Sequence, residues 1–183
     1  EQVVTWQAKH DALTGLFNIH TIRSTLAATM QKYGQCVVVA TYIQNFRQIN
    51  DRLGPEVADA CLTVLAQRLN QFATAGEKTN ARLEELLDNL DKPFQIGNIS
   101  LSAHFYAGVC CYPADGYDSK TMLRRVRIAA DHARLNRTTI HVYMPGEDEN
   151  HLEELSLIEA LQALLRQPTN IELFLNPLIF LAF

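Results

Sequence analysis

No two of the four cysteines, Cys36, Cys61, Cys110 and Cys111, stand at C-x-x-C spacing, and each lies within an apolar stretch. Free cysteine in such surroundings behaves as a small hydrophobe, so a reducing cytoplasm is the expected compartment. The six histidines do not pair at zinc-site spacings. His20, His104 and His132 read as ordinary half-buried residues, and no structural metal is expected. There is no excess of positive charge either: the net charge is -4 and the sequence pI is about 5.8. Nucleic acid is therefore not an expected partner, since phosphate neutralisation needs clustered Lys and Arg on one face. Arg124, Arg125 and Arg127 come nearest to a cluster, but on a helix they point in different directions and read as a solvated face. No signal peptide is visible. The longest apolar stretch, Leu173 to Phe183, is interrupted by Asn176 and Pro177 and is too short to span a bilayer, so this segment is expected to make no membrane contact. The chain starts at Glu1 without Met and stops at Phe183 inside a strand-like run, as an excised segment would, including one cut from the cytoplasmic part of a membrane-anchored protein.

What is present is the composition of a globular domain, with 48% hydrophobic and 20% charged residues over 183 positions. Residues 1–10 read as the tail of an incoming helix, Asp11 to Asn18 as a turn, and Ile19, Ile22, Leu26 and Met30 as the stripe of a second helix. Cys36 to Ile43 is apolar nearly throughout, as a central strand covered on both faces should be. A short helix over Asn45 to Leu53 is broken by Gly54 and Pro55, and a long one follows with Ala58, Cys61, Leu62, Leu65, Leu69 and Phe72 on one stripe. Leu83 to Leu90 reads as a helix. Ile99, Leu101, Ala103 and Phe105 alternate with polar residues as a strand does, with Gly97 and Asn98 as its hairpin turn. Gly108 to Tyr112 continues as a buried strand, Asp118 caps a helix with Met122, Val126, Ala129 and Ala133 inward, and Ile140 to Tyr143 is a last strand. This order predicts an α/β (α+β) domain over residues 11–145 with a mixed central sheet flanked by helices. Residues 146–150 read as an acidic linker, and 151–183 as the start of a second, truncated domain: an amphipathic helix over His151 to Arg166, then a strand from Ile171.

Two segments carry a resemblance to a known family. His10-Asp11-Ala12-Leu13-Thr14-Gly15-Leu16-Phe17-Asn18 resembles the D-x-L-T-G-L-x-N opening of GGDEF domains, the diguanylate-cyclase fold of cyclic di-GMP signalling. Asn45-Phe46-Arg47-Gln48-Ile49-Asn50-Asp51-Arg52-Leu53-Gly54 resembles their F-K-x-I-N-D-x-x-G segment. Gly108-Val109 before Tyr112-Pro113-Ala114-Asp115-Gly116, and Ala130-Asp131-His132-Ala133, are later matches. The resemblance implies a nucleotidyl-cyclase-like fold.

The departures bear on activity. Diguanylate cyclases join two GTP molecules with metal ions bridging the phosphates, and such hard cations need carboxylate oxygens. Aligned on Phe46, the family's two strand aspartates fall at Tyr42 and Gln44, neither of which offers an anionic oxygen at neutral pH. The family's signature hairpin is also missing between the long helix and Pro93, and Ala81-Arg82-Leu83-Glu84-Glu85 reads as helix rather than as its remnant. The purine-facing positions are kept: Asn50 and Asp59 occupy the places of the residues that face the guanine edge in the family. A cap for Asn50 and a helix-start charge for Asp59 are the competing explanations.

Residues 151–183 resemble the opening of EAL phosphodiesterase domains, with Leu173-Phe174-Leu175-Asn176-Pro177 at the family's strand ending in Q-P. Glu159, in Ile158-Glu159-Ala160-Leu161, spells that family's name on the preceding helix and reads as solvent-facing rather than metal-binding. The expectation is a non-catalytic GGDEF-like regulatory module with GTP as its candidate ligand, and with Mg2+ only if a hairpin outside this sequence supplies ligands. Its own EAL domain, an upstream sensor region and a second copy are the expected partners, and phosphodiesterase activity belongs to the intact parent protein. An active cyclase whose hairpin is missing from the sequence, and a ligand-free interaction scaffold, are the alternatives.

Overall fold

The computed structural model describes residues 6–74, 82–149 and 178–182. They fall in two compact units, Glu1–Thr25 with Ile43–Phe105 and Leu26–Tyr42 with Tyr106–Phe183. Helices are α1 (Ile19–Tyr33), α2 (Phe46–Leu53), α3 (Pro55–Thr74), α4 (Arg82–Asp91) and α5 (Ser119–Asn136). Strands are β1 (Cys36–Ile43), β2 (Phe94–Ile96), β3 (Ile99–Leu101), β4 (Phe105–Tyr112), β5 (Ile140–Val142) and β6 (Leu178–Ala182).

In the first unit α2 and α3 meet at Gly54, whose φ of 88° lies in the left-handed region where a Cβ is penalised. Pro55 then opens α3, where its missing N–H costs nothing. Leu65 and Leu69 of α3 and Leu86, Leu87 and Leu90 of α4 are buried, so the leucine stripe of Arg82–Asp91 is a helical core stripe. The carbonyls that α4 leaves unpaired at its end are taken by one guanidinium: Arg68 donates to Asn89 O at 3.1 Å, Leu90 O at 3.2 Å and Pro93 O at 3.0 Å. The same group lies 5.3 Å from the Phe94 ring centre. β2 and β3 form a two-residue hairpin with Gly97 at φ 58°. The alternation expected from Ile99 to Phe105 does not make one strand: β3 ends at Leu101, and the His104 carbonyl accepts instead from the Gln44 amide at 2.7 Å. Ile99 is correspondingly exposed.

The second unit holds a four-stranded mixed sheet in the order β5-β4-β1-β6. β4 and β5 are parallel, Ala107 opposite Ile140 and Val109 opposite Val142. β6 runs antiparallel along the other edge of β1, from Val38↔Ala182 to Tyr42↔Leu178, although the sequence reading expects its residues in a second domain. The apolar run of β1 is explained by burial: Val38, Val39, Ala40 and Tyr42 are all inaccessible or nearly so. Helix α5 starts at an Asp118 cap, whose carboxylate accepts from Thr121 N at 2.9 Å and Thr121 Oγ1 at 2.8 Å. It presents Val126, Ala129, Ala130 and Ala133, all fully buried. These small residues let the helix backbone approach β4 at Gly108, where an added Cβ would lie 2.1 Å from Ala130 N. After β5 the chain turns through residues 144–149, and Glu147 and Asp148 are buried there despite the acidic, linker-like composition. The Asp148 carboxylate accepts from Arg124 at 2.8 Å, Arg125 at 3.1 Å and the Tyr143 hydroxyl at 2.6 Å. The arginines expected to form a solvated face are thus partly spent on a buried acid. Residues 151–177, with the expected helix and Glu159, lie outside the described residues.

Candidate nucleotide site

The polar residues of the opening motif are held in local structure. Asp11 accepts from Thr14 N at 2.9 Å and Thr14 Oγ1 at 2.7 Å, and these bonds hold its carboxyl below the usual range. Gly15 takes φ 69°, and Asn18 caps α1 by accepting from Thr21 N at 3.0 Å while donating to Ala8 O at 2.8 Å. The motif therefore builds a turn and a helix start, with Leu16 O accepting from Asp11 N at 2.8 Å to close it.

Asn50 and Asp59 are both exposed, on α2 and α3, which pack against each other. Neither side chain has a hydrogen-bond or ion-pair partner among the described residues. The capping role open to Asn50 is not taken by its side chain, because the Gly54 amide donates to the Asn50 main-chain carbonyl at 3.0 Å. Asp59 lies in the second turn of α3, beyond the first-turn N–H groups that a carboxylate would cap.

One side of α2 borders a cleft of about 230 Å³ lined by Gln44, Asn45, Gln48, Ile49, Arg52, Leu53, Ser102 and His104. Gln44 thus reaches the cleft, Asn50 and Asp59 do not line it, and no carboxylate contributes to its wall. Asn45 holds a left-handed φ of 61° immediately before α2. Arg52 and His104 escape a reading by motif, because Arg52 falls at a variable position and His104 reads as a strand residue. An amide-lined cleft with one guanidinium offers donors and acceptors to a heterocycle and charge to an anion.

Tyr42 belongs to the second unit. It is 8% exposed, with the Arg134 guanidinium 5.7 Å from its ring centre. Burial, reinforced by the Asp131 carboxylate, pushes its phenol up to about 12, so it remains neutral. Burial also raises the thiols, Cys61 to about 11 and Cys110 further, which leaves them inert. Among the described residues no helix is long and apolar enough to cross a membrane.

Residues 8–85 match the family described as "Diguanylate cyclase, GGDEF domain". The chain is 27% identical over 205 residues to an uncharacterised protein of Synechocystis, with 98% of this chain and 29% of the relative covered. It spans less than a third of the length of the curated relatives it matches. Its fold is similar to the crystal structure of a sensory box/GGDEF family protein from Caulobacter crescentus, with a TM-score of 0.62, 25% identity, and 70% of this chain and 99% of that one covered. It is also similar to the GGDEF domain of DgcB from Caulobacter crescentus, solved in complex with c-di-GMP, with a TM-score of 0.64, 17% identity, and 74% of this chain and 93% of that one covered. The opening turn, the α2 segment and the mixed sheet flanked by helices agree with these matches, and residues 8–85 are similar to the GGDEF domain, the module associated with cyclic di-GMP signalling.

Proposed function

We propose that this GGDEF domain is a regulatory module that binds a guanine nucleotide and does not synthesise cyclic di-GMP. The observation that carries the reading is the chemistry of the two positions where the resemblance places the family's strand aspartates: Tyr42, in β1, is a buried, neutral phenol, and Gln44, just past the strand, is an amide. Neither supplies the anionic oxygen on which a hard cation depends. Without the cation, the charge developing on a transferring phosphoryl group loses several kcal/mol of stabilisation. The purified chain incubated with GTP and Mg2+ or Mn2+ is expected to yield no cyclic di-GMP. Turnover above background would establish the alternative, an active cyclase.

Base recognition rests on different residues and survives this loss. Asn50 and Asp59 present an amide and a carboxylate, side chains free to meet the donor and acceptor edge of guanine. Adenine presents the opposite pattern of donors and acceptors to those groups, so a pair that reads guanine discriminates against it. Calorimetry is therefore expected to show weak GTP and GDP binding, little changed by EDTA, with ATP weaker and with binding lost in Asp59→Ala. Equal affinity for ATP, or undiminished binding in the variant, defeats the assignment, and no binding at all favours the scaffold reading. The resemblance of residues 151–183 to the opening of an EAL domain supports the further reading that the module reports to a phosphodiesterase domain and an upstream sensor region of the parent protein.

A further inference from the structure

Three residues that no motif groups converge in the second unit: His132 on α5, His141 in β5, and Glu147 in the turn that follows. Glu147 Oε1 lies 2.7 Å from His141 Nε2 and 3.4 Å from His132 Nδ1. One ligand atom from each residue falls within 4.8 Å of the others, and the two imidazole rings stand 5.3 Å apart at 31°. We propose that these side chains form a binding site for a divalent transition metal, zinc foremost.

Charge balance is the first argument. Glu147 is 6% exposed, and a buried carboxylate needs a positive partner. The nearby guanidiniums of Arg124 and Arg125 are directed to Asp148 instead. Glu147 is left with the two imidazoles and with the Met144 amide, which donates to Oε2 at 3.1 Å. A divalent ion bound by two neutral imidazoles supplies the missing charge and uses a lone pair from each ring.

Geometry is the second. Ligand atoms about 2.0–2.1 Å from a tetrahedral zinc stand about 3.3 Å apart, close to the 3.4 Å between His132 and Glu147. The 2.7 Å pair is a hydrogen bond, which metal entry would open by about 0.6 Å through a small carboxylate rotation. The Met144 amide fixes the other carboxylate oxygen, the kind of outer contact that orients a ligand. Two imidazoles and one carboxylate suit zinc, nickel, copper or iron and disfavour magnesium and calcium. Three protein ligands leave a fourth position for water. The ion would clip the late part of α5 to β5 and to the turn at 144–149, just before the segment that resembles the EAL domain.

The test uses the full chain stripped with EDTA and dialysed. Titration with Zn2+ against a chromophoric chelator is expected to show one equivalent bound with a Kd in the micromolar range or tighter. Co2+ is expected to give the visible bands of a low-symmetry four- or five-coordinate ion, and Zn2+ to raise the melting temperature as a ligand of the folded state must. Mg2+ is expected to do neither. His132→Gln, a half-exposed position whose substitution spares the core, and Glu147→Gln are each expected to weaken Zn2+ binding tenfold or more. Absence of Zn2+ binding at 100-fold excess over about 1 μM protein, or binding undiminished in a folded His132→Gln or Glu147→Gln variant, overturns the proposal. The cluster is then a set of hydrogen bonds only.

Discussion

Gly108→Ala is expected to lower the free energy of unfolding by about 3 kcal/mol, near the top of the range for overpacking a well-filled core. An added Cβ would stand 2.1 Å from Ala130 N, 2.5 Å from Val126 O and 2.7 Å from Ala129 C, all main-chain atoms of α5. Ordinary carbon contacts lie at about 3.5–4.0 Å, so the helix would have to withdraw from β4 by more than a bond length. No side-chain rotation relieves this, because the obstructing atoms are backbone. Withdrawal would also loosen Ala129, Ala130 and Ala133, all fully buried. Gly34→Ala is the natural control: it has φ 70° but nothing within 4 Å of its Cβ position, so only conformational strain remains, about 1 kcal/mol. Urea unfolding of both variants separates packing from strain. A Gly108→Ala loss no larger than that of Gly34→Ala would show that helix and strand are not in this contact.

Asp148→Ala is expected to cost about 2–4 kcal/mol, more than an exposed ion pair is worth, because one carboxylate serves three donors. It accepts from Arg124, Arg125 and the Tyr143 hydroxyl, and the bonds from Tyr143 first and Arg125 second hold its carboxyl below the usual range. Removing it strands a Tyr143 side chain that is 3% exposed and leaves Arg125 the Asp115 carbonyl, at 2.9 Å, and the face of the Tyr143 ring. Arg124, half exposed, re-solvates at little cost, so Arg124→Ala is expected to lose less than about 1 kcal/mol. If Asp148→Ala matched that small loss in urea unfolding, the turn at 144–149 would be a solvated linker as its composition suggests.

The parts of this molecule governed by neighbours in sequence were legible before its coordinates. Cys36–Ile43 announces a doubly covered strand by its composition, Gly97-Asn98 a tight hairpin, and Asp118 a helix start. The turn at Asp11, Thr14 and Gly15 is likewise local chemistry, which is why one short motif points to the family. What escaped depends on contacts between residues far apart in the chain. The strand pattern from Ile99 breaks after Leu101, and the His104 carbonyl is claimed by Gln44, sixty residues earlier. The acidic turn looks like a linker until Arg124 and Arg125 close on Asp148. His132, His141 and Glu147 are separated by irregular intervals and meet only because α5 runs back beside β5. Asn50 and Asp59 show the opposite limit: their positions are readable and their side chains have no partner among the described residues, so only a ligand can reveal their use.

The chain's single tryptophan sits at Trp6, its indole stacked on the His10 imidazole with 4.5 Å between ring centres and 9° between planes. Phe17 lies against the other ring, 4.9 Å from His10. All indole emission therefore originates beside the opening turn, from a ring stacked on the His10 imidazole. Emission excited beyond the tyrosine band is a reporter of that turn alone, and the state of the β1–β4 sheet must be read from tyrosine absorption or amide dichroism.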